Sequence, residues 1–454
     1  MRVAENQRIA LLFALGLVAV LLHAQQATVY EGARIITGDG SAPIENGTLV
    51  VRGGQITGLG RSINAPADAV RVNLAGKTII PALINVHTHI GYEGYTSWGA
   101  QNYTEKNVLD HLQREAFYGT AVTLSVGSSP FEISRKIQRD QEAGKLPLAS
   151  RFLFIPGYAP PNGGPDAILK VATDALHVIN EVSTPQEARD SIRKMAGRGV
   201  TAVKIWVDDR RGTYPKMTPD VYTAIIDESH KHSMLVHAHA TTLADQKAVV
   251  RAGVDVLVHL IQAEKVDDEL VALLKEKKPY WATVIGLGDA TAVCEHDPFF
   301  EQALPDSVIA KIRANTQRRP LTANCGPAGA NEERREQNIR YNFPRMVASG
   351  ARVVLGTDTG VHPGHTFGSG EHLEMARWVE LGLTPMQAIT AATQRPAELL
   401  KLRDEGTLAV GKRANFIALD ANPLDDIRNT RRIADVYVGG VKVDRGKIRA
   451  RWKR

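Results

Sequence analysis

Two imidazoles one residue apart close an apolar run at Val86-His87-Thr88-His89. On an extended backbone residues i and i+2 share a face, so both rings can reach one cation. Other apolar runs carry residues of the same kind. Lys204 lies inside Ala202-Val203-Lys204-Ile205-Trp206, His237-Ala238-His239 ends another run, His259 ends the next, and Asp358 sits in Gly356-Thr357-Asp358-Thr359-Gly360. Each has an ordinary reading by itself. His-x-His recurs by chance, and a lysine in a strand commonly keeps its ammonium in water at a rim. A lone histidine is commonly a hydrogen-bonded core residue, and Asp358 could be a turn or cap residue. Their shared placement argues for more, because five separate strand ends deliver ligating types to what would be one face. His87, His89, Lys204, His239, His259 and Asp358 are therefore read together as a metal site.

The elements that must position them follow from the hydrophobic pattern. β-Branched apolar runs occur at Thr78–Val86, Ala121–Val126, Arg151–Ile155, Ala202–Val207, Met234–His239, Val254–His259, Tyr280–Val284 and Arg352–Asp358. Segments of helical period lie between them, including Pro185–Gly197, Pro219–His232, Leu243–Ala252 and Asn331–Ala348, with Thr184 and Thr218 as caps before prolines. Strands alternating with helices give a parallel sheet, and eight strands close a (β/α)8 barrel whose active site lies at the strand C-terminal ends. The ligating residues fall on strands one, four, five, six and eight of that series. A doubly wound open sheet is the competing fold, but the first strand lacks a Gly-rich phosphate turn.

Both chain ends have a different texture. Ala33–Thr37, Gly47–Arg52 and Gln55–Gly58 read as strands, with Gly53-Gly54 as a hairpin turn; Ala414–Leu419, Ala434–Val438 and Val441–Asp444 repeat the pattern around Gly439-Gly440. This predicts a small β-sandwich domain assembled from residues 25–80 and 403–454, flanking a barrel over 81–402.

The 454 residues are 43% hydrophobic and 23% charged, values of a folded soluble chain. The net charge of +6 is scattered apart from a basic end at Arg449, Arg451, Lys453 and Arg454. There is no concentrated stripe with a recognition module, so nucleic acid is not the expected partner. Arg2 and Arg8 precede a 14-residue apolar run, Ile9–Leu22, followed by Ala24. That order is the pattern of a secretory signal over residues 1–24, so an exported protein is expected, with membrane contact only through that segment. An uncleaved anchor is the alternative. Cys294 and Cys325 could form one disulfide in an oxidising compartment, or remain two thiols.

The same residues resemble the metal-dependent amidohydrolase superfamily, in the branch of imidazolonepropionase-like proteins and Xaa-Pro (prolidase-type) dipeptidases. Pro81-Ala82-Leu83-Ile84-Asn85-Val86-His87-Thr88-His89 is similar to the family's Pro-Gly-Leu-Ile-Asp-x-His-x-His opening. Val203-Lys204-Ile205 resembles the strand whose lysine is carboxylated by CO2 in two-metal members. His239 and His259 stand around Gly253 at the branch's spacing, and Gly356-Thr357-Asp358 resembles the eighth-strand motif. The run Leu383-Thr384-Pro385-Met386-Gln387-Ala388, then Ala391-Ala392-Thr393 and Gly411-Lys412-Arg413-Ala414-Asn415, is similar to the closing signature. Three departures stand out. Ala82 and Asn85 replace the usual Gly and Asp, Val258-His259-Leu260 stands where Glu-His-Gly is common, and Thr241 occupies the place of a glutamate in deaminase-type relatives. The last argues against deamination.

The resemblance implies two divalent cations, with zinc suited to the mixed donors, and a carboxylated Lys204 bridging them. His87, His89 and Asp358 would hold the buried cation, and His239 with His259 the other. Cations so placed lower the pKa of water and polarise a carbonyl; Asp358 would act as the base and pass the proton to a leaving amine. The implied substrate is a small amide, a dipeptide or an N-acyl amino acid, with a lactone or cyclic amide as the alternative. His237, His365, His372, Tyr158 and Tyr214 are candidate substrate contacts. Two rival readings are a one-metal relative without the carboxylated lysine, and a barrel that lost catalysis and became a binding protein. A homo-oligomer is left open.

Overall fold

A computed structural model describes residues 26–286, 297–307, 310, 330–361 and 367–452. The signal segment, Cys294, Cys325 and His365 lie outside the described residues.

The N-terminal strands are β1 (Thr28–Ile35), β2 (Ile44–Arg52), β3 (Gln55–Gly60), β4 (Val70–Asn73) and β5 (Thr78–Pro81). The series β6 (Leu83–Thr88), β7 (Thr120–Gly127), β8 (Arg151–Ala159), β9 (Ile179–Glu181), β10 (Ala202–Trp206), β11 (Leu235–His239), β12 (Val256–Val258), β13 (Tyr280–Ala282) and β14 (Arg352–Val354) follows. The chain ends in β15 (Phe416–Leu419), β16 (Ile433–Val438) and β17 (Val441–Lys442).

The strands sort into two sheets. One runs β17-β16-β15-β5-β1-β2-β3, with β4 on β1, so both chain ends build it. Its hairpins turn where expected: Gly53-Gly54 and Gly439-Gly440 all have φ between 57° and 77°, the left-handed region that two-residue hairpin turns require. The other sheet runs β14-β13-β12-β11-β10-β8-β7-β6 with parallel pairing throughout, and β9 adds to β8. Its ends are joined by Val86 N donating to Leu355 O at 2.8 Å, Asp358 N to His87 O at 2.9 Å and His89 N to Thr359 O at 2.7 Å. Eight parallel strands thus form a barrel, with β9 as an extra edge.

One predicted strand divides. Thr78–Val86 reads as continuous, but Thr78–Pro81 pairs antiparallel with Phe416–Leu419 in the end sheet, while Leu83 opens the barrel. The break falls at Ala82, whose N–H donates to Asn415 O at 3.0 Å. An unbroken apolar run cannot reveal a change of sheet when both sides are buried. The short strands β4 and β9 also went unpredicted.

Burial on both faces explains the apolar runs of the barrel strands. Val203, Ile205, Val236, Ala238 and Leu257 pack outward in the cluster shared with the helices; Ile84, Val86, Val122, Leu124, Val256 and Val258 fill the interior. Lys204 therefore points inward, because the residues on either side of it point out. The expected helices form at Pro185–Gly197, Pro219–Lys231, Leu243–Arg251 and Ala330–Ala348. Thr184 caps the first by accepting from Glu187 N, whereas Thr218 makes no side-chain cap bond. Its hydroxyl donates to the Asp220 carboxylate instead.

In the end sheet Phe416 is fully buried, stacked on Tyr437 at 4.4 Å and edge-on to Tyr30 at 5.0 Å. Phe416→Ala is expected to destabilise by about 3–5 kcal/mol, read as a lower urea midpoint. A variant within about 0.5 kcal/mol of the parent would show that this stack does not hold the sheet.

Candidate metal centre

The strand ends gather the predicted ligands. His87 and His89, two residues apart on β6, direct their Nε2 atoms to the same carboxylate oxygen, Asp358 Oδ1, at 3.1 and 3.0 Å. Ligand atoms of these three residues all lie within 4.8 Å of one another, a spread one cation can span. His259 stands beside them, its ring centroid 5.9 Å from that of His87 and 4.4 Å from that of His239. Lys204 lies across from His237 in the β10–β11 register, with Trp206 across from His239. Only 1% of Lys204 is exposed, which removes the rim reading for this lysine.

Two of these positions have strained backbone. His259 and Asp358, just past the ends of β12 and β14, have φ of 76° and 60°. Such left-handed conformations cost about 1–3 kcal/mol each and cluster at functional sites. Small residues make room for the lysine. A Cβ on Gly157 would come within 2.5 Å of the Trp206 ring, and one on Gly127 within 2.4 Å of that ring and 3.0 Å of Lys204 Cγ.

The electrostatics favour neutral ligands around one carboxylate. Burial drives His87 and His259 well below the usual imidazole value, and His237 and His239 down to about 3. Burial also lowers Lys204 to about 7, against the opposing pull of Asp358. Burial alone would raise Asp358, but hydrogen bonds from His87 and His89 outweigh it and hold the carboxyl well below its ordinary range. Burial thus favours neutral imidazoles at His87, His239 and His259 beside an ionised Asp358, the protonation states in which such groups can serve a divalent cation.

Partners behind the ligands fix which nitrogen faces the site. His89 Nδ1 meets Ser128 Oγ at 2.8 Å, leaving Nε2 forward. His239 Nε2 meets Asp208 Oδ2 at 2.9 Å. Although burial pushes the Asp208 carboxyl up, the His239 hydrogen bond and its other partners hold it far below the normal value. An ionised carboxylate only accepts, so Nε2 carries the proton and Nδ1 keeps the lone pair. Asp208 also accepts from Thr241 Oγ1 at 2.9 Å, Arg210 N at 2.8 Å and Arg210 Nη1 at 2.8 Å. The sequence reading missed Asp208 and Ser128; the signal that could have found Asp208 is an acid just past β10, at the end where loops build the site. Asp208→Asn is expected to weaken metal binding about 10–100-fold while the metal-free protein melts normally. Unchanged affinity by competition with a chelator would count against its orienting role.

The candidate substrate contacts separate. His237 is fully buried on the inward face beside Lys204, and neither ring nitrogen has a partner among the described residues. Tyr158 faces away from the site. Its register partner is Ile205, which packs outward, and its hydroxyl meets Ser191 Oγ at 3.1 Å on the surrounding helix. His372 also lies elsewhere: its Nε2 bonds Tyr118 O at 2.9 Å, just ahead of the N-terminal end of β7, and its ring packs on Phe299 at 5.0 Å. Tyr214 is half-buried on the loop after β10, where its N–H donates to Asp209 O at 3.0 Å.

Comparison with known proteins adds to this geometry. The profile described as the amidohydrolase family matches residues 78–443. The chain is similar to an ochratoxinase from Aspergillus niger, 24% identical over 91% of this chain and 86% of that one. It is similar to an imidazolonepropionase from Deinococcus radiodurans, 23% identical over 88% of this chain and 92% of that one. In structure it resembles a Xaa-Pro dipeptidase with methionine bound in the active site, with a TM-score of 0.72 at 22% identity, covering 92% and 99% of the two chains.

Proposed function

This chain belongs to the amidohydrolase family, and from that premise we propose that it is a two-metal hydrolase of dipeptides or N-acyl amino acids. The observation that carries the reading is the convergence at one barrel mouth of His87, His89, Asp358, His239 and His259 around a buried Lys204. His87, His89 and Asp358 fit one cation, and His239 Nδ1 with His259 fits a second. Imidazole with carboxylate oxygen suits zinc, and manganese, iron or cobalt would also be accommodated. When bound, such cations lower the pKa of water and polarise the scissile carbonyl.

A lysine ammonium has no lone pair to offer. Its neutral amine can attack CO2, forming an N–C bond and releasing one proton, to give an anionic carbamate. The burial of Lys204, which favours the neutral amine, supports it as the residue that does so, and the carbamate would then supply anionic oxygen donors to the cations. The unpartnered His237 ring beside it supports this, since a carbamate would offer that imidazole an acceptor; leaving a buried N–H unpaired costs about 1–3 kcal/mol. Asp358, already ionised, takes the proton from the attacking water and hands it to the departing amine. Thr241 at the deaminase glutamate position has a hydroxyl committed to Asp208, which supports hydrolysis over deamination.

The test is a substrate screen with zinc- or manganese-reconstituted protein against dipeptides, N-acyl amino acids, lactones and cyclic amides. Dipeptides or N-acyl amino acids are expected to exceed lactones in kcat/KM by about a hundredfold or more. Turnover confined to lactones or cyclic amides would overturn the substrate class.

A further inference from the structure

We propose that Arg210 receives a free carboxylate of the substrate, so that the site selects acylated amino acids and dipeptides with an uncapped C-terminus. The inference rests on the hydrolytic reading above and names the group that positions the substrate within it.

The case begins with place. Arg210 lies four residues beyond Trp206, the last residue of β10, on the loop at the strand end where Lys204 is buried. Its backbone turns left-handed, φ 50°, and its N–H donates to Asp208 Oδ1 at 2.8 Å. The side chain then folds back, and Nη1 donates to Asp208 Oδ2 at 2.8 Å. That same oxygen accepts from His239 Nε2 at 2.9 Å. The guanidinium is thus tied to a candidate metal ligand through one shared oxygen atom. Its proximity also shows in charge: Arg210 contributes to lowering His239, His259 and Lys204, after burial in each case.

The donors left over give the inference its chemistry. A guanidinium presents five N–H groups in a planar fork that matches a carboxylate. Asp208 occupies Nη1, and Nε is buried without an acceptor among the described residues. The side chain is 22% exposed, so an incoming group can reach the guanidinium beyond its buried Nε in a largely dry setting. The neighbouring cations of the loop are otherwise placed. Lys216 is held by Asp245 at 3.0 Å and Asp209 at 3.6 Å, and Arg211 is exposed. A carboxylate on the carbon next to the scissile nitrogen would lie a few atoms from the reacting carbonyl, a separation that suits a cation beside His239.

The experiment compares free L-proline and L-methionine with their carboxamides as ligands of the zinc-loaded protein by calorimetry. It is repeated on Arg210→Met and Arg210→Lys. The parent should bind the free amino acids more tightly than the amides. That preference should fall by about 10- to 100-fold in Arg210→Met and only partly in Arg210→Lys, which keeps the charge but loses the fork. The preference for an N-acyl amino acid over its carboxamide in kcat/KM should collapse in parallel. An unchanged preference in Arg210→Met overturns the assignment. So does an equal loss on both ligands with metal released, since that places Arg210 in support of His239. The two readings fail separately. Protein that cleaves no amide yet loses its carboxylate preference in Arg210→Met contradicts the hydrolytic reading alone. Amide cleavage indifferent to capping contradicts only the role of Arg210.

Discussion

Lys204→Ala is expected to lower kcat by about three orders of magnitude and to leave the protein holding fewer cations. The reason is charge. An ammonium about 4 Å from a divalent cation would be repelled by several kcal/mol even at an effective dielectric near 20. Lys204 is buried at the strand ends that carry the five candidate ligands, with burial already favouring its neutral form. It must be neutral, displaced or converted to an anion, and only the anion brings charge opposite to the cations together with two oxygen donors. Acetate or propionate should restore part of the activity and metal content in Lys204→Ala by filling the vacated bridge. Lys204→Arg should not, because guanidinium stays cationic and takes up no CO2. Near-normal turnover by Lys204→Arg would remove the bridging role.

Asp358→Asn is expected to reduce kcat by about 10²–10⁴-fold, the usual worth of a positioned general base. Asparagine has the same shape and also tolerates the left-handed backbone found here at φ 60°. The fold should therefore survive, and the melting temperature should stay within a few degrees. What is lost is the negative charge that His87 and His89 both address, and with it a group that can hold a proton during the reaction. Retention of more than about a tenth of the parent kcat would show that the proton travels by another residue.

The amino-acid pattern made the barrel and its candidate ligands legible for one physical reason. Parallel strands buried on both faces must be apolar, so each ligating residue stands out against its run. His87, His89, His239 and His259 at run ends, and Lys204 within one, are conspicuous in that sense. The structure brings all of them to one mouth with Asp358. The direction of a side chain was harder to read. Tyr158 sits near a strand end as His239 does, but the β8–β10 register puts it opposite Ile205, on the outward face. His372 follows the eighth strand at a site-like distance, yet its helix turns it onto Tyr118 O. Parity within one strand is visible in sequence; register between strands is not. Asp208 and Arg210 were hidden for a related reason, since an Asp-Asp-Arg-Arg loop resembles any charged surface turn until its backbone is seen folding over the strand end.

Metal stoichiometry tests the central claim most directly. Protein reconstituted with zinc in bicarbonate buffer, desalted and measured by inductively coupled plasma mass spectrometry, should carry about two ions per chain. A value near one would assign the chain to one-metal chemistry and leave Lys204 without a bridge to make, and a value near zero would contradict the metal centre altogether.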